Sequence, residues 1–312
     1  MPTSYRLEYL QLDCLIISHY TLKYQKFQSL STDILNYAVI YDILNIKKTY
    51  EVTNMNIQKI RCVDYHIISE KIPSAFDGFR ILHLSDYHNH PVPGLLEAIS
   101  KQNPDIIAIT GDMINEHEDY QPVIPFLESL LTIAPCYMVS GNHDTWHLDY
   151  REYVRTCREK GAIFLQNERI CLERNGAQIF LSGMEDVFCK TQKGMEEKLE
   201  EAFSALGKIQ AFDILLFHRA NLLDAFSGHG FDLVLAGHLH GGQIRLPIVG
   251  GVLAPKSGLA ANARLLFPDY TGGKYRLDET TTAIVSRGTG NATLLPRMFN
   301  PPEIGVISLH AN

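Results

Sequence analysis

From about residue 65 onward, short apolar runs closed by polar clusters alternate with longer stretches whose apolar positions recur every three to four residues. Runs of four to eight apolar residues fit buried strands, and the longer periodicity fits amphipathic helices. The pattern predicts strands over residues 79–85, 105–110, 136–140, 178–182, 212–217, 232–236, 282–286 and 303–309. It predicts helices over 94–102, 121–131, 149–159 and 192–206. Strands alternating with helices indicate a layered α/β domain. No internal repeat divides it, so residues 66–312 are read as one domain.

Residues 1–65 have a different texture, rich in Tyr, Ile, Asn and Lys and without a single Gly. Thr32 or Asp33 can cap a helix that carries Ile34, Tyr37, Ala38, Tyr41 and Leu44 on one face. This segment is read as a partly helical accessory packed on the main domain. The alternative is a helix that docks peripherally on a membrane or a partner, although its polar face is not strongly basic. No apolar run approaches the roughly 18–20 residues of a membrane span, and no signal-peptide pattern opens the chain. The six cysteines form no C-x-x-C pair, which fits free thiols in a reducing compartment. A cytoplasmic location is therefore expected, with peripheral membrane attachment as the alternative.

Lys plus Arg number 28 against 35 for Asp plus Glu, a formal net charge of −7. Phosphate backbones are bound by clustered positive charge, so no specific nucleic-acid binding is expected. A composition of 46% hydrophobic and 20% charged residues is that of a folded globular protein.

The chemistry stands where the strands end. After 79–85 come Asp86 and His88, and after 105–110 come Gly111 and Asp112. After 136–140 come Gly141, Asn142, His143 and Asp144; after 212–217 comes His218; after 232–236 come Gly237, His238 and His240. In open α/β sheets, ligand sites gather at the carboxyl ends of strands, so five clusters of Asp, Asn and His can converge on one crevice. A lone His or Gly-Asp at a strand end is usually only a turn residue. Five in order, three of them led by Gly, are hard to obtain by chance. By contrast, Gly250-x4-Pro255-Lys256-Ser257 only approaches a P-loop, because Pro255 has no N–H for a phosphate. His83 lies within a strand and is read as core, and His90, His117 and His147 as solvated loop residues or, less readily, rim residues of the site.

These blocks resemble the calcineurin-like metallophosphoesterases, whose pattern is Asp-x-His, Gly-Asp, Gly-Asn-His-Asp/Glu, a solitary His and Gly-His-x-His. The stretch 237–247, together with Ser286-Arg287-Gly288 and the run from Phe299 to Glu303, narrows the resemblance to the bacterial YkuE/YaeI phosphodiesterase branch. The resemblance implies an α/β/β/α sandwich of two mixed sheets flanked by helices, with a dinuclear metal site at the strand C-terminal ends. It makes Asp112 the carboxylate that bridges two ions, with Asp86, His88 and His240 completing one site and Asn142, His218 and His238 the other. Oxygen and imidazole donors without thiolate suit two divalent Mn, Fe or Zn ions. Hydroxide held between the ions would attack phosphorus in line with the leaving oxygen, which His143 would stabilise or protonate. Many relatives orient that His with an Asp three residues after the bridging Asp. Here the position is Asn115, so the relay is expected to be weaker, and Asp144 is a further supporting residue.

The implied substrate is a phosphate ester, either a phosphodiester or a pyrophosphate, such as that in the lipid-linked nucleotide UDP-2,3-diacylglucosamine. The largely apolar loop over 244–266, directly after the His238 and His240 positions, is read as either a cap on the core or a wall for an apolar leaving group. Two other readings are a non-catalytic protein-binding scaffold, which would be marked by lost ligands, and a metal-dependent nuclease, which would be marked by a basic groove. All seven ligand positions are filled, and the net charge is negative.

Overall fold

The computed structural model describes residues 59–312 except 188, 190, 247, 255–264 and 292–296. The chain divides into two units at residues 57/58, and the second holds every element given below. The helix expected near residues 34–44, and residues 247 and 255–264 of the 244–266 loop, lie outside the described residues.

In chain order the elements are β1 (Arg61–Ser69), β2 (Arg80–Leu84), α1 (Leu95–Ser100), β3 (Ile106–Thr110), α2 (Ile124–Leu131) and β4 (Cys136–Val139). Next come α3 (Asn142–Trp146), α4 (Tyr150–Glu159), β5 (Ile163–Phe164), β6 (Glu168–Arg174), β7 (Ala177–Gly183) and α5 (Gln192–Leu206). The remainder are β8 (Asp213–Arg219), β9 (Leu233–Gly237), β10 (Arg245–Leu246), β11 (Gly250–Gly251), β12 (Gly273–Arg276), β13 (Thr282–Val285) and β14 (Glu303–Ala311). β1 runs across the domain boundary expected at residues 65/66 and pairs in parallel with β14, the last strand.

Two six-stranded mixed sheets form the body, ordered β1-β14-β2-β3-β4-β5 and β12-β13-β9-β8-β7-β6. In the first, β2 to β5 are mutually parallel and β14 runs antiparallel to β2. In the second, β7, β8, β9 and β13 are parallel, with β6 and β12 as antiparallel edges.

Strand alternation explains the layering. Ile81 of β2 and Ala108 of β3 pack with Ile214 and Leu216 of β8 and Leu233 and Leu235 of β9 in one core between the sheets. Their neighbours Leu82, Leu84, Ile107 and Ile109 face the other way, onto α1, α2 and α4. Leu215, Phe217, Val234 and Ala236 likewise face α5. A strand buried on both faces reads as an unbroken apolar run, which is why the central strands were legible. Four layers result: helices, sheet, sheet, helices. α5 shows how local signals set an element's limits. Thr191 Oγ1 accepts the Gly194 N–H at 3.2 Å, and Gly207, at φ +62°, follows the last turn. Among the described residues, no helix is long and apolar enough to cross a membrane.

Leu235 has no solvent exposure between the sheets, whereas Ile68 is 66% exposed. Leu235→Ala should cost about 2–5 kcal/mol in urea unfolding, and Ile68→Ala should stay within about 0.5 kcal/mol of the parent.

Candidate metal centre

The parallel strands of both sheets release their chains at one edge, and that edge gathers the polar residues. Asp86 and His88 follow β2, Asp112 follows β3, Asn142 and His143 open α3 after β4, His218 lies near the end of β8, and His238 and His240 follow β9. All of these side chains are buried.

The strand exits approach so closely that side chains are excluded at three positions. A Cβ on Gly111 would lie 2.4 Å from Gly141 N, and one on Gly141 would lie 2.2 Å from Asp112 Oδ1. One on Gly237 would lie 2.0 Å from Ser85 Oγ and 2.5 Å from Asp86 Oδ2. The backbone also bends sharply, with Asp86, His88 and Asp112 at φ +53°, His238 at φ +78° and His240 at φ +46°. Left-handed backbone at non-glycine residues costs of order 1–3 kcal/mol each and persists where the surroundings enforce it, typically at functional sites.

Two clusters result. Ligand atoms of Asp86, His88 and His240 lie within 4.8 Å of one another, as do those of Asp112, His218 and His238. A third group, His88, Asp112 and His143, overlaps both and joins them. His88 Nε2 and His240 Nε2 stand 3.1 Å apart, and His240 Nε2 is 3.5 Å from Asp86 Oδ1. Asp112 Oδ2 is 3.0 Å from His218 Nε2 and 3.7 Å from His88 Nε2, so this carboxylate lies between the two clusters.

Hydrogen bonds behind the rings decide which nitrogen faces inward. His218 Nδ1–H donates to the Thr110 carbonyl at 2.7 Å, which turns Nε2 towards Asp112. Thr110 is fixed in turn by His83, whose Nε2 lies 2.8 Å from Thr110 Oγ1, so this core histidine braces the site from behind. Burial pushes the rings of His88 and His240 down to about 3, which keeps both neutral, the form that binds metal. Burial also works to lower His218, but the adjacent Asp112 carboxylate outweighs it and lifts this ring to about 10. A cation bound there would take the place of that proton.

The donor set fits metal ions. Asn142 Oδ1 and Nδ2, His238 Nε2 and His240 Nδ1 are buried without a hydrogen-bond partner among the described residues. Buried polar atoms are rarely left so. A cation beside Asn142 Oδ1 would satisfy that oxygen.

Asp144 has a supporting role with a clear geometry. Its carboxylate accepts the backbone N–H groups of Asp112 and Gly141 at 2.8 Å and of Met113 and Ile114 at 3.1 Å, clamping the β3 and β4 exits together. Burial, with the Asp112 charge, pushes its carboxyl up to about 7 against those amides.

Asn115 departs from expectation. It does not meet His143. Its Oδ1 lies 3.0 Å from His88 Nδ1, and the residue paired with His143 Nδ1 is Glu116. Counting residues from Asp112 could not separate these two neighbours, which the turn sends in different directions. Asn300, whose Nδ2 donates to the His240 carbonyl at 2.7 Å, also lies beyond sequence reasoning, as does Gly288, where a Cβ would lie 2.6 Å from Asp86 Cβ. The family resemblance marks the runs that contain them and assigns them no physical role. His90 and His117 are exposed, and buried His147 joins the Glu118 carbonyl at 2.9 Å as a loop brace.

The calcineurin-like phosphoesterase family model matches residues 79–242, the span that carries all these clusters. The chain belongs to this family. It is 30% identical over 260 residues to the uncharacterized metallophosphoesterase YkuE of Bacillus subtilis, covering 80% of this chain and 85% of that protein. It is 27% identical over 190 residues to the phosphodiesterase YaeI of Escherichia coli, covering 57% and 66%. Among solved structures, TT1561 of Thermus thermophilus matches with a TM-score of 0.44 at 14% identity, covering 67% of this chain and 88% of that one. The calcineurin-like phosphoesterases are dinuclear and metal-dependent, and the two clusters here could hold such ions. The chain is accordingly a phosphoric ester hydrolase.

The close approach at Gly237 sets a test. Gly237→Ala should reduce bound metal in elemental analysis of the purified protein. Gly78→Ala, at φ +75° but facing open space, should bind metal as the parent does while losing roughly 1 kcal/mol of stability.

Proposed function

We propose that this protein hydrolyses a phosphodiester or pyrophosphate bond, with Asp86, His88, Asp112, Asn142, His218, His238 and His240 holding two divalent ions and His143 acting on the leaving oxygen. The observation that carries the reading is Asp112, a buried carboxylate set between two Asp/His clusters. Two bound cations would supply a nucleophile from water at neutral pH and offset charge on the phosphoryl oxygens. Manganese, iron and zinc all suit oxygen and imidazole donors.

The chain's own residues do the rest. His143 is anchored through its backbone N–H, which donates to Asp112 Oδ1 at 2.8 Å. Its ring stands edge-on to His88, with centroids 4.8 Å apart. Nδ1 is engaged by Glu116, so Nε2 is the nitrogen left to hold a proton for the departing oxygen. As the P–O bond breaks, its electron pair leaves with that oxygen, which takes the Nε2 proton.

A diester or pyrophosphate is favoured by the chain's similarity to YaeI, which is named a phosphodiesterase. A lipid-linked nucleotide such as UDP-2,3-diacylglucosamine is the narrower candidate. Support comes from the β10–β11 hairpin, where Ile248 is 98% and Val249 57% exposed. That hairpin is tied to the turn after His240 by Val252 N–H donating to the Gly242 carbonyl at 3.2 Å. An apolar edge there suits an acyl chain.

Purified protein should carry close to two transition-metal ions and prefer bis-p-nitrophenyl phosphate to p-nitrophenyl phosphate. Asp112→Asn should lose metal and most turnover; full activity in that variant would refute the bridging role. His143→Ala should keep its metal and lose roughly 10²–10⁴-fold in kcat. Release of UMP from UDP-2,3-diacylglucosamine, but not from UDP-N-acetylglucosamine, would be the outcome expected for the narrower substrate.

A further inference from the structure

We propose that Glu116 is the carboxylate that positions His143, and that Asn115 has been given over to holding His88. The proposal rests on the role of His143 argued above and names a residue that role depends on.

The two neighbours differ in what they can accept and donate. Asn115 Nδ2 donates to the His88 carbonyl at 3.1 Å and to Glu118 Oε1 at 2.8 Å. With both donors committed to acceptors, the amide oxygen is left to accept, and the His88 Nδ1–H is what it accepts at 3.0 Å. His88 Nε2 is thereby turned towards Asp112 and His240. A carboxylate at position 115 would have no donor for either partner and would set its charge against Glu118. Position 115 therefore calls for an amide, and the carboxylate that serves His143 stands one residue further on.

Glu116 meets the requirement from the loop. Its Oε2 pairs with His143 Nδ1, and its side chain is 24% exposed while that of His143 is 8% exposed. Burial works to raise the Glu116 carboxyl, but the His143 hydrogen bond, its own backbone N–H and the nearby histidines together hold the group below its ordinary value. His117, the other basic side chain nearby, is 90% exposed and stands 3.9 Å from Glu116 Oε1. With the backbone N–H of His143 on Asp112 and Trp146 at 5.6 Å between ring centroids, the pair leaves the ring few orientations. A carboxylate on Nδ1 also selects the tautomer and keeps Nε2 for the substrate. Glu116 is paired with His143 and is not among the proposed ligands, so it acts through that ring and is a positioning residue.

The experiment compares Glu116→Gln and Glu116→Ala with the parent on bis-p-nitrophenyl phosphate and on diphenyl phosphate, whose phenolate leaves less readily. Both variants should keep the parent's metal content and KM. On diphenyl phosphate kcat should fall roughly 10- to 100-fold, more for Ala than for Gln, with a much smaller loss on the nitrophenyl ester. A second readout needs no turnover. In the zinc-loaded protein, the ¹⁵N signal of His143 Nδ1–H, assigned by its loss in His143→Ala, should shift in Glu116→Gln and weaken in Glu116→Ala. Asn115→Asp should leave that signal in place, move the His88 signal and lower metal content. Equal losses on both esters, loss of metal in the Glu116 variants, or an unmoved His143 signal in Glu116→Ala would overturn the proposal. If the parent cleaves neither diester, the reading of the reaction fails, and the ¹⁵N signal still decides whether Glu116 positions His143.

Discussion

Asp112 carries a carboxylate into a place where it is 1% exposed, and everything around it is arranged to make that tenable. Burial alone would push the group towards its neutral form, but His218, His143 and His88 hold it well below the ordinary carboxylate value. His218 belongs to the second sheet, whereas His88 and His143 follow strands of the first. The two sheets are therefore joined at one edge by electrostatics as well as by the apolar core between them. A lone buried charge would cost several kcal/mol, so each sheet needs the other's histidines or carboxylates in place. This dependence fixes the relative register of the two sheets more tightly than a uniform layer of Ile, Leu and Val could, since apolar packing is non-directional.

Close approach at that edge depends on backbone strain and on glycine. Left-handed conformations at Asp86, His88, Asp112, His238 and His240 turn each side chain back towards the same crevice directly after its strand ends. The run over 286–290 supports Asp86 from behind: Thr289 N–H donates to the Ser85 carbonyl at 3.1 Å and Gly290 N–H to the Asp86 carbonyl at 2.6 Å. Asn300 does the same for His240. These segments contribute nothing to the ligand set. They hold the strained turns in place, which is why motifs far down the chain belong to the same site.

The central strands were legible because burial on both faces demands uninterrupted apolar residues, as in the wholly buried β3, β8 and β9. Edge strands do not carry that demand. β1 and β6 alternate exposed and half-buried positions with charged residues among them, and β5 and β12 are too short for periodicity to register. The candidate ligands were legible for a different reason. Each sits within four residues of a readable strand end, or within the strand itself in the case of His218, so sequence position and spatial position coincide. Asn115 and Glu116 lie beyond the first turn, where the direction of a side chain depends on local dihedrals that no spacing rule contains.

The same distinction bears on how far a family pattern can be carried onto this chain. A metal ligand must present its donor atom at a point fixed by several other ligands, and displacement by one residue would move that atom by some 3.8 Å along the chain. An orienting partner is less constrained, because any hydrogen-bonding group that reaches the outer nitrogen of a ring in the ring plane will hold it. Asn115 and Glu116 fit that asymmetry. Asp112, Asn142 and the histidines stand at or directly after their strand ends, while the groups behind His88 and His143 are drawn from consecutive residues of one loop, an amide for one ring and a carboxylate for the other. The charge then goes to the ring proposed to act on the leaving oxygen, and the neutral amide to the ring beside the Asp86 and Asp112 carboxylates, where another negative group would add only repulsion.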